Sequence, residues 1–152
     1  CNYLKAAQES DMIHHVAFFH EGPLLKTIQT LGIATTHLTG SLHQYDPLLF
    51  IRLIKLIQSF KPDVIHSSLW SANIIGRICA QFCQIPIVCD LHGKCIHEGF
   101  IRNFLDRATY KLAQSQVAVS DEIKNLYITN ICSKKNQNNY AGTITVIKNS
   151  ID

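Results

Sequence analysis

The chain has 152 residues, of which 47% are hydrophobic and 16% charged, so intrinsic disorder is excluded and one domain with a buried core is expected. Fourteen Lys and Arg against eleven Asp and Glu give a formal net charge of +3. These cations form no dense patch, so no nucleic-acid partner is predicted. No apolar stretch is long and uncharged enough to span a membrane.

The first third of the chain alternates short strand-like runs with helical patterns. A β-type run at residues 14–19 precedes Pro23, which is typical of the first residue of a helix, and the helical spacing ends at Gly32. A second short strand is predicted at 33–38. Asp46 then opens a strongly apolar helix that continues to Phe60.

The polar positions of this apolar helix form one narrow stripe of Arg52, Lys55 and Ser59. Together with Lys61, its cations could contact anionic lipid. The alternative is that the helix packs against a sheet and shows only that stripe to solvent, which its apolar circumference favours.

The same alternation continues to the end of the chain. Strands are predicted at 64–67, 85–89, 116–119 and 143–147, helices at 70–83 and 100–113, and polar loops at 92–99 and 133–142. Ser120 is predicted to cap a further helix that carries Asp121 and Glu122 in its first turn.

Short apolar strands that alternate with helices of 10–15 residues indicate an α/β fold with a parallel sheet and helices on both of its faces. A helical remnant at residues 2–8 suggests that the first strand lies before Cys1. Because the chain begins with Cys1 and stops just after a strand-like run, both ends are expected to be cut.

The six cysteines follow no known disulfide framework. Cys79 and Cys83 lie on a predicted helix, and Cys89 lies inside an apolar strand. Buried free thiols in a reducing compartment are therefore expected, which favours a cytoplasmic location.

In an open parallel sheet, ligands bind beyond the carboxyl ends of the strands. This rule selects four junctions, at residues 20–22, 67–70, 90–93 and 120–121. Dinucleotide-binding, P-loop, hydrolase-elbow and Cys-x-x-Cys motifs do not occur. The position of a site is thus indicated, but its chemistry is not.

His92 lies just past a predicted strand and is expected to face the cleft, where an imidazole suits sugar or phosphate oxygens. Alternatively, His92 is a loop histidine whose ring caps backbone groups. Trp70 and Asn73 could contact a ligand or could anchor the core. Two Cys and two His between residues 89 and 97 fit no zinc ribbon or finger, and Cys89 should point into the core, so no metal site is predicted.

Several segments together are similar to glycosyltransferase family 4. The similarity is carried by KPDVIHSSLWSAN at 61–73, Gly76-Arg77, IPIV at 85–88, DLHG at 90–93, VAVSDEI at 117–123, ITVIKNSID at 144–152, and EGPL at 21–24 with LGI at 31–33. These segments keep the family's order along nearly the whole chain.

The resemblance implies the Rossmann-like N-terminal half of a GT-B glycosyltransferase, over residues 1–147, with an interdomain hinge starting at 148–152. Such an enzyme, of the hexosyltransferase type, transfers a sugar from a nucleotide-sugar donor with retention at the anomeric carbon and without a metal ion or cofactor. The implied partners are a sugar or lipid-linked acceptor and the protein's own C-terminal donor-binding domain. Peripheral contact with the inner membrane face is compatible with this role.

By position, the resemblance implies a catalytic role for His92 toward the donor sugar. The other implied contacts of the cleft are Glu21, Gly22, Ser67, Trp70, Asn73, Gly93, Ser120 and Asn149. Ser150 and Lys148 stand where the family's hinge has Gly and Pro. Without the donor-binding half, these residues alone are expected to transfer no sugar.

Three alternatives remain open at this point. The chain could be a non-catalytic module that binds a nucleotide or phosphosugar, or half of a GT-B sugar-nucleotide epimerase. A structural or assembly role is the third alternative, because a fold alone does not determine function.

Overall fold

The computed structural model describes residues 11–38, 46, 48–92, 99–132 and 143–148. Its elements, in chain order, are β1 (His15–Phe18), α1 (Leu24–Thr30), β2 (Ala34–His37), α2 (Leu48–Phe60), β3 (Ile65–Ser68), α3 (Trp70–Cys83), β4 (Ile87–Leu91), α4 (Phe100–Thr109), a 3₁₀ turn (Tyr110–Leu112), β5 (Ser115–Ala118), α5 (Asp121–Asn130) and β6 (Ile144–Val146). The chain divides into two compact units, Cys1–Lys55 and Leu56–Asp152.

In the first unit, β1 and β2 pair in parallel and α1 connects them. Gly32 has a φ of 72°, a left-handed conformation that glycine adopts without strain, and it turns the chain from α1 into β2. His15 Nε2 lies 2.8 Å from Thr36 Oγ1, which joins the two strands through their side chains. Helix α1 ends at Thr30, so the end predicted at Gly32 is confirmed to within two residues.

The start of α2 is fixed by Asp46, as the sequence predicts. Asp46 Oδ1 accepts a hydrogen bond from the backbone N–H of Leu48 (2.9 Å), and its Oδ2 forms an ion pair with Arg52 Nη1 (2.8 Å). Arg52 also donates to the carbonyl of Leu38, so this cation is engaged within its own unit. Ile51 is also exposed on α2, so the exposed side of this helix is less polar than the predicted stripe of Arg52, Lys55 and Ser59.

The second unit contains a four-stranded parallel sheet in the order β3-β4-β5-β6. Helices α3 and α5 provide two of the crossovers between neighbouring strands. Side chains of β4 alternate between buried and half-buried positions, and Cys89 at its centre is fully buried. The predicted class, α/β with parallel strands flanked by helices, is confirmed.

Among the described residues the strands form two sheets rather than the single sheet that the alternation predicts. Within that part of the chain, β1 pairs only with β2, and β3 pairs only with β4. The strand expected before Cys1 and the helix expected at 2–8 lie outside the described residues. Both stay predictions.

The strand predicted at 85–89 is shifted to Ile87–Leu91 because the preceding residues terminate α3. Gln84 has a φ of 57°, and the N–H of Ile85 donates back to the carbonyl of Ala80. Pro86 has no N–H to give to the sheet, but its carbonyl accepts from Ile65 N at 2.9 Å. The hydrogen bonding of β4 to β3 therefore begins at the carbonyl of Pro86, and the first paired residues are Ile65 and Ile87.

The end of α4 differs from the prediction by four residues, 109 against 113. The helix predicted at 100–113 ends at Thr109 and tightens into the 3₁₀ turn. The loop predicted at 133–142 lies outside the described residues. Among the described residues, no helix is both long enough and apolar enough to span a membrane.

The four cysteines that the structure describes are free, as predicted. Cys79, Cys89 and Cys132 are buried. Burial, together with the nearby Cys83, raises the pKa of Cys79 to about 12, and burial raises that of Cys132 to about 11. These thiols therefore act as small apolar side chains of the core.

A buried guanidinium joins three helices to the sheet. Arg77 of α3 is fully buried, and its Nη1 lies 2.7 Å from Asp106 Oδ1 of α4. Its Nη2 donates to Tyr127 Oη of α5, which itself donates to Asp106 Oδ1, and its Nε lies 3.4 Å from Cys89 Sγ of β4. Burial alone opposes the charged form, but Tyr127, Cys89 and Asp106 raise the pKa of Arg77 above its usual value.

Removing one partner of this ion pair leaves the other charge buried and uncompensated. We expect Arg77→Met to lower the free energy of unfolding by about 3–5 kcal/mol. The double variant Arg77→Met/Asp106→Leu, which removes both charges, should lose less than Arg77→Met alone. Urea denaturation followed by circular dichroism measures the free energy of unfolding of the double variant and of each single variant. A loss in the double variant equal to the sum of the losses in Arg77→Met and Asp106→Leu would contradict the coupling.

Candidate functional site

The candidate site lies at the carboxyl ends of β3 and β4, where ligands bind in open parallel sheets. In β3, His66 and Ser68 are exposed on one face while Ser67 between them is buried on the other. The register pairs Ser68 with Asp90 of β4. Because paired residues of parallel strands point to the same face, the side chain of Asp90 joins those of His66 and Ser68.

These side chains form a hydrogen-bonded group around the Asp90 carboxylate. His66 Nε2 lies 2.8 Å from Oδ1, and Ser68 donates to Oδ2 at 2.6 Å. His92 Nε2 lies 3.6 Å from the same Oδ2. Asp90 is largely buried, with 17% of its side chain accessible, whereas His66 and His92 are 46% and 38% accessible. We call these four residues the Asp90 cluster.

Neighbouring groups in this cluster stabilise the charged forms of Asp90 and His66. Burial alone would raise the pKa of Asp90, but the hydrogen bonds from His66 and Ser68 and the nearby imidazoles lower it below its usual value. The hydrogen bond to Asp90 raises the pKa of His66, and burial only partly opposes this. The result is an anionic carboxylate held between two imidazoles at an accessible edge of the sheet.

Ser67 and Asn73, both predicted to contact the acceptor, form a bracket behind the cluster. Ser67 Oγ donates to Asn73 Oδ1 (2.7 Å), and Asn73 Nδ2 donates to the main-chain carbonyl of Asp90 (2.8 Å). Both side chains are buried. Their polar atoms therefore fix the ends of β3 and β4 relative to the first turn of α3.

Trp70, the first residue of α3, is half-buried beside the cluster. The guanidinium carbon of Arg102 in α4 lies 4.9 Å from the centre of its ring, which is a cation–π contact. The indole Nε1 is buried and has no hydrogen-bond partner. Trp70 is thus anchored against α4, and one face of its ring is already covered.

Leu69 connects β3 to α3 in a strained conformation. Its φ of 76° and ψ of 154° lie in a region that is essentially restricted to glycine. Its side chain is 63% exposed, so packing does not explain the choice of leucine. The carbonyl of Leu69 accepts from Asn73 N and starts α3, so the strained residue sets the direction in which the helix leaves the cluster.

The remaining predicted contacts are more widely spread. Ser120 Oγ accepts from Ile123 N (3.2 Å), so its predicted role as the cap of α5 is confirmed. Glu21 and Gly22 follow β1 in the first unit and are exposed. Gly93 and Asn149 lie outside the described residues. Contact of any of these with a ligand stays a prediction.

Of the Asp90 cluster, only His92 was named as a predicted contact; Ser68 and Asp90 lie within the selected junctions at 67–70 and 90–93, and His66 lies outside them. Their signal in the sequence is a His-x-Ser pair on one strand and an Asp on the next, which share a face only in the observed register. Among the described residues, no three His, Cys, Asp or Glu side chains are grouped closely enough to hold a metal ion. Cys95 and His97, part of the metal alternative weighed above, lie outside them.

Comparison with protein families gives a match along nearly the whole chain. The sequence model described as Glycosyltransferase Family 4 matches residues 4–152. No curated protein matches the sequence.

Solved structures share the fold. Alr3699/HepE from Anabaena, in complex with UDP-glucose, matches with a TM-score of 0.69 at 20% identity, over 91% of this chain and 36% of that one. A glycosyltransferase from Rickettsia africae has a TM-score of 0.72 at 14% identity, over 99% and 37%. UDP-GlcNAc 2-epimerase from Methanocaldococcus jannaschii has 0.63 at 12% identity, over 94% and 40%. The chain therefore spans about two fifths or less of the length of these structures.

The strain at Leu69 gives a stability prediction. Leu69→Gly should be more stable than Leu69→Ala by about 1 kcal/mol, because relief of roughly 1–3 kcal/mol of backbone strain outweighs the larger entropy that glycine loses on folding. Both variants remove the same exposed side chain, so their difference reports the backbone alone. Equal unfolding free energies in urea would show that the conformation is not strained.

The His66–Asp90 pair gives a pH prediction. Because the pKa of His66 is raised in the folded state, this residue stabilises the protein fully below about pH 6.5. That stabilisation is lost as the pH rises through the folded-state pKa of His66. Because the pKa of Asp90 is lowered in the folded state, this residue stabilises the protein above about pH 3.9. That stabilisation is lost as the pH falls through the folded-state pKa of Asp90. The pair should therefore stabilise the protein most between these limits.

His66→Gln keeps a polar side chain that does not titrate, and it serves as the reference. Because both partners reach solvent, we expect an advantage of the natural protein of at most about 1 kcal/mol near pH 5.5. That advantage should disappear toward pH 9. A difference in unfolding free energy that stays constant between pH 5 and pH 9 would contradict the pairing.

Proposed function

Because the chain belongs to glycosyltransferase family 4, we propose that it forms part of an enzyme that moves a hexosyl group from a nucleotide-sugar donor to an acceptor, with retention at the anomeric carbon. The observation that carries the proposal is the Asp90 cluster, which gathers a carboxylate, two imidazoles and a hydroxyl at the carboxyl ends of β3 and β4. This is the edge at which α/β sheets bind ligands.

The cluster offers the hydrogen bonds that a sugar needs. A sugar hydroxyl both donates and accepts, so it is best bound by a mixture of acceptors and donors. Asp90 supplies carboxylate lone pairs, and the half-exposed rings of His66 and His92 supply nitrogen atoms. The bracket of Ser67 and Asn73 holds the two strand ends in place, which preorganises these groups before a ligand binds.

His92 is the residue that we propose to act in catalysis. It follows β4 directly, and its Nε2 lies near the Asp90 carboxylate, which can orient the imidazole ring. A hydrogen bond from His92 to the donor sugar that strengthens as the glycosidic bond breaks would lower the barrier of transfer. In this scheme Asp90 both binds a sugar hydroxyl and positions the ring of His92.

The remaining parts of the proposal concern the whole enzyme. A C-terminal domain would bind the nucleotide diphosphate, and residues 148–152 would start the hinge toward it. The acceptor, a sugar or a lipid-linked sugar, would be contacted by residues of the second unit that include Trp70 and Ser120. We propose that the reaction takes place in the cytoplasm, without a metal ion, so that EDTA leaves the rate unchanged.

A sugar-nucleotide epimerase is the second candidate, because the epimerase from Methanocaldococcus jannaschii shares the fold. The family match supports the transferase instead. The two differ in their products from a UDP-sugar alone. A transferase releases UDP as it passes the sugar to an acceptor or slowly to water, whereas a 2-epimerase changes the configuration at C2 of UDP-N-acetylglucosamine.

The test uses the complete protein that contains this chain, with UDP-glucose as donor. We expect slow UDP release and, with methanol added as a small acceptor, a methyl glucoside that keeps the anomeric configuration of the donor by NMR. We also expect a fall in kcat of roughly 100-fold in His92→Ala, the usual loss when one transition-state hydrogen bond is removed. His92→Gln, which retains a donor, should lose less. Gln114→Ala, an exposed change before β5, is the control.

Three results would overturn the proposal. Unchanged kcat in His92→Ala would remove this residue from the chemistry. Inversion at the anomeric carbon would exclude a retaining mechanism. Conversion of UDP-N-acetylglucosamine to its C2 epimer without UDP release would assign the protein to the epimerases.

A further inference from the structure

Two side chains of β3 hold the Asp90 carboxylate, one at each oxygen. His66 Nε2 lies 2.8 Å from Oδ1, and Ser68 Oγ donates to Oδ2 at 2.6 Å. The main-chain carbonyl of Asp90 is bound by Asn73 Nδ2, so the carboxylate can move only by rotation about its side-chain bonds. The two contacts from β3 oppose that rotation and fix the plane of the carboxylate.

The third neighbour of this carboxylate is His92. Its Nε2 lies 3.6 Å from Oδ2, slightly farther than a hydrogen bond. Hydrogen bonds of active sites are often long before substrate binds and shorten in the complex. Because a carboxylate oxygen can accept more than one hydrogen bond, Oδ2 can accept from Ser68 and His92 together. The direction in which Oδ2 meets His92 is therefore set from β3.

The two contacts from β3 differ in their chemistry. The hydroxyl of Ser68 keeps its proton at all relevant pH values, whereas the imidazole of His66 gains and loses one near neutrality. The hydrogen bond to Asp90 raises the pKa of His66, and burial partly opposes this. A hydrogen bond between charged groups is roughly twice as strong as a neutral one. The contact at Oδ1 is thus strongest while His66 is an imidazolium.

The charge of His66 follows the pH of the solution, because 46% of its side chain is accessible. Among the described residues of this edge, the titratable groups that face it are Asp90 on the neighbouring strand and His92 on the far side of the Asp90 carboxylate. Burial alone would raise the pKa of Asp90, but the hydrogen bonds from His66 and Ser68 keep it below its usual value. Asp90 therefore stays ionised through the neutral range, in which His66 titrates.

We propose that His66 is a positioning residue of the transfer reaction, whose imidazolium holds the Asp90 carboxylate in the orientation that aligns the His92 ring with the sugar. Loss of the His66 proton then slows transfer. This inference rests on the function proposed above and adds to it a second histidine, whose Nε2 acts through Asp90 and not on the donor. A direct contact of His66 with the sugar would change binding instead of the chemical step.

The test compares the complete protein with its His66→Gln variant, with UDP-glucose as donor and methanol as acceptor. At pH 6 we expect kcat to fall about tenfold and KM for the donor to change little, because poor alignment of a reacting group costs up to about 100-fold in rate. As the pH rises through the folded-state pKa of His66, the kcat of the natural protein should fall toward that of the variant. The ratio of the two kcat values should therefore be several times smaller at pH 9 than at pH 6.

Ser68→Ala is the matched control, because it removes the contact at Oδ2 and the lost hydroxyl does not titrate. Its kcat should also fall, but by about the same factor at pH 6 and at pH 9. A pH-dependent ratio in His66→Gln alone identifies the imidazolium rather than a general loosening of β3. Circular dichroism of each variant at both pH values establishes that the fold is retained.

A double-mutant cycle tests whether His66 acts through His92. In the His92→Ala background, His66→Gln should lower kcat by less than about twofold, because the ring that it aligns is absent. A further loss of about tenfold in that background would show that the two residues act independently.

Four results would overturn the inference. These are equal kcat values of His66→Gln and the natural protein at pH 6, a kcat ratio that is the same at pH 6 and pH 9, the independent loss in the His92→Ala background, and a rise in KM alone, which would make His66 a direct sugar ligand. If His92→Ala loses kcat and His66→Gln does not, only this inference fails. If His92→Ala keeps its kcat, the function proposed above fails as well.

Discussion

The position of α3 on the sheet is the constraint on which the rest of the second unit depends, and the buried Arg77 determines it. Its guanidinium reaches Asp106, Tyr127 and Cys89 and so connects α3 with α4, α5 and β4. The preceding residue, Gly76, allows close contact, because a Cβ there would lie 2.9 Å from Ile87 Cδ1. A buried ion pair contributes little net stability when its desolvation is counted, but it tolerates few alternative arrangements.

A series of polar contacts connects Arg77 with the candidate site. Cys89 Sγ lies 3.4 Å from Arg77 Nε and 3.3 Å from Ser67 Oγ, and Ser67 binds Asn73, which holds the main chain of Asp90. Asn73 and Arg77 lie one turn apart on α3, so a single helix is fixed at both points. The buried part of the site is therefore rigid, and the exposed Asp90 cluster is supported from behind.

Much of the fold could be predicted from the sequence because its signals are local. Alternation of short apolar runs with helical spacing indicates parallel βαβ units, Asp46 and Ser120 cap the helices that they were expected to cap, and Cys89 is buried as its apolar neighbours suggest. The pairing of the described strands as two sheets and the shift of β4 past Pro86 could not be predicted. The shift depends on the turn at Gln84 and Ile85 that ends α3, and the pairing of the strands depends on hydrogen bonds between segments that are distant in sequence.

The same reason explains why the sequence identified only part of the candidate site. The strand predicted at 64–67 is β3 at Ile65–Ser68, and β4 is shifted by two residues. In a strand, a slip of one residue moves every side chain to the opposite face. Whether His66 and Ser68 meet Asp90 or point away from it is thus decided by the register of β3 on β4, which the carbonyl of Pro86 sets through Ile65. A cluster assembled by strand pairing is visible only once that pairing is known, whereas His92 could be selected because a residue just past a strand end lies at the cleft edge in any register.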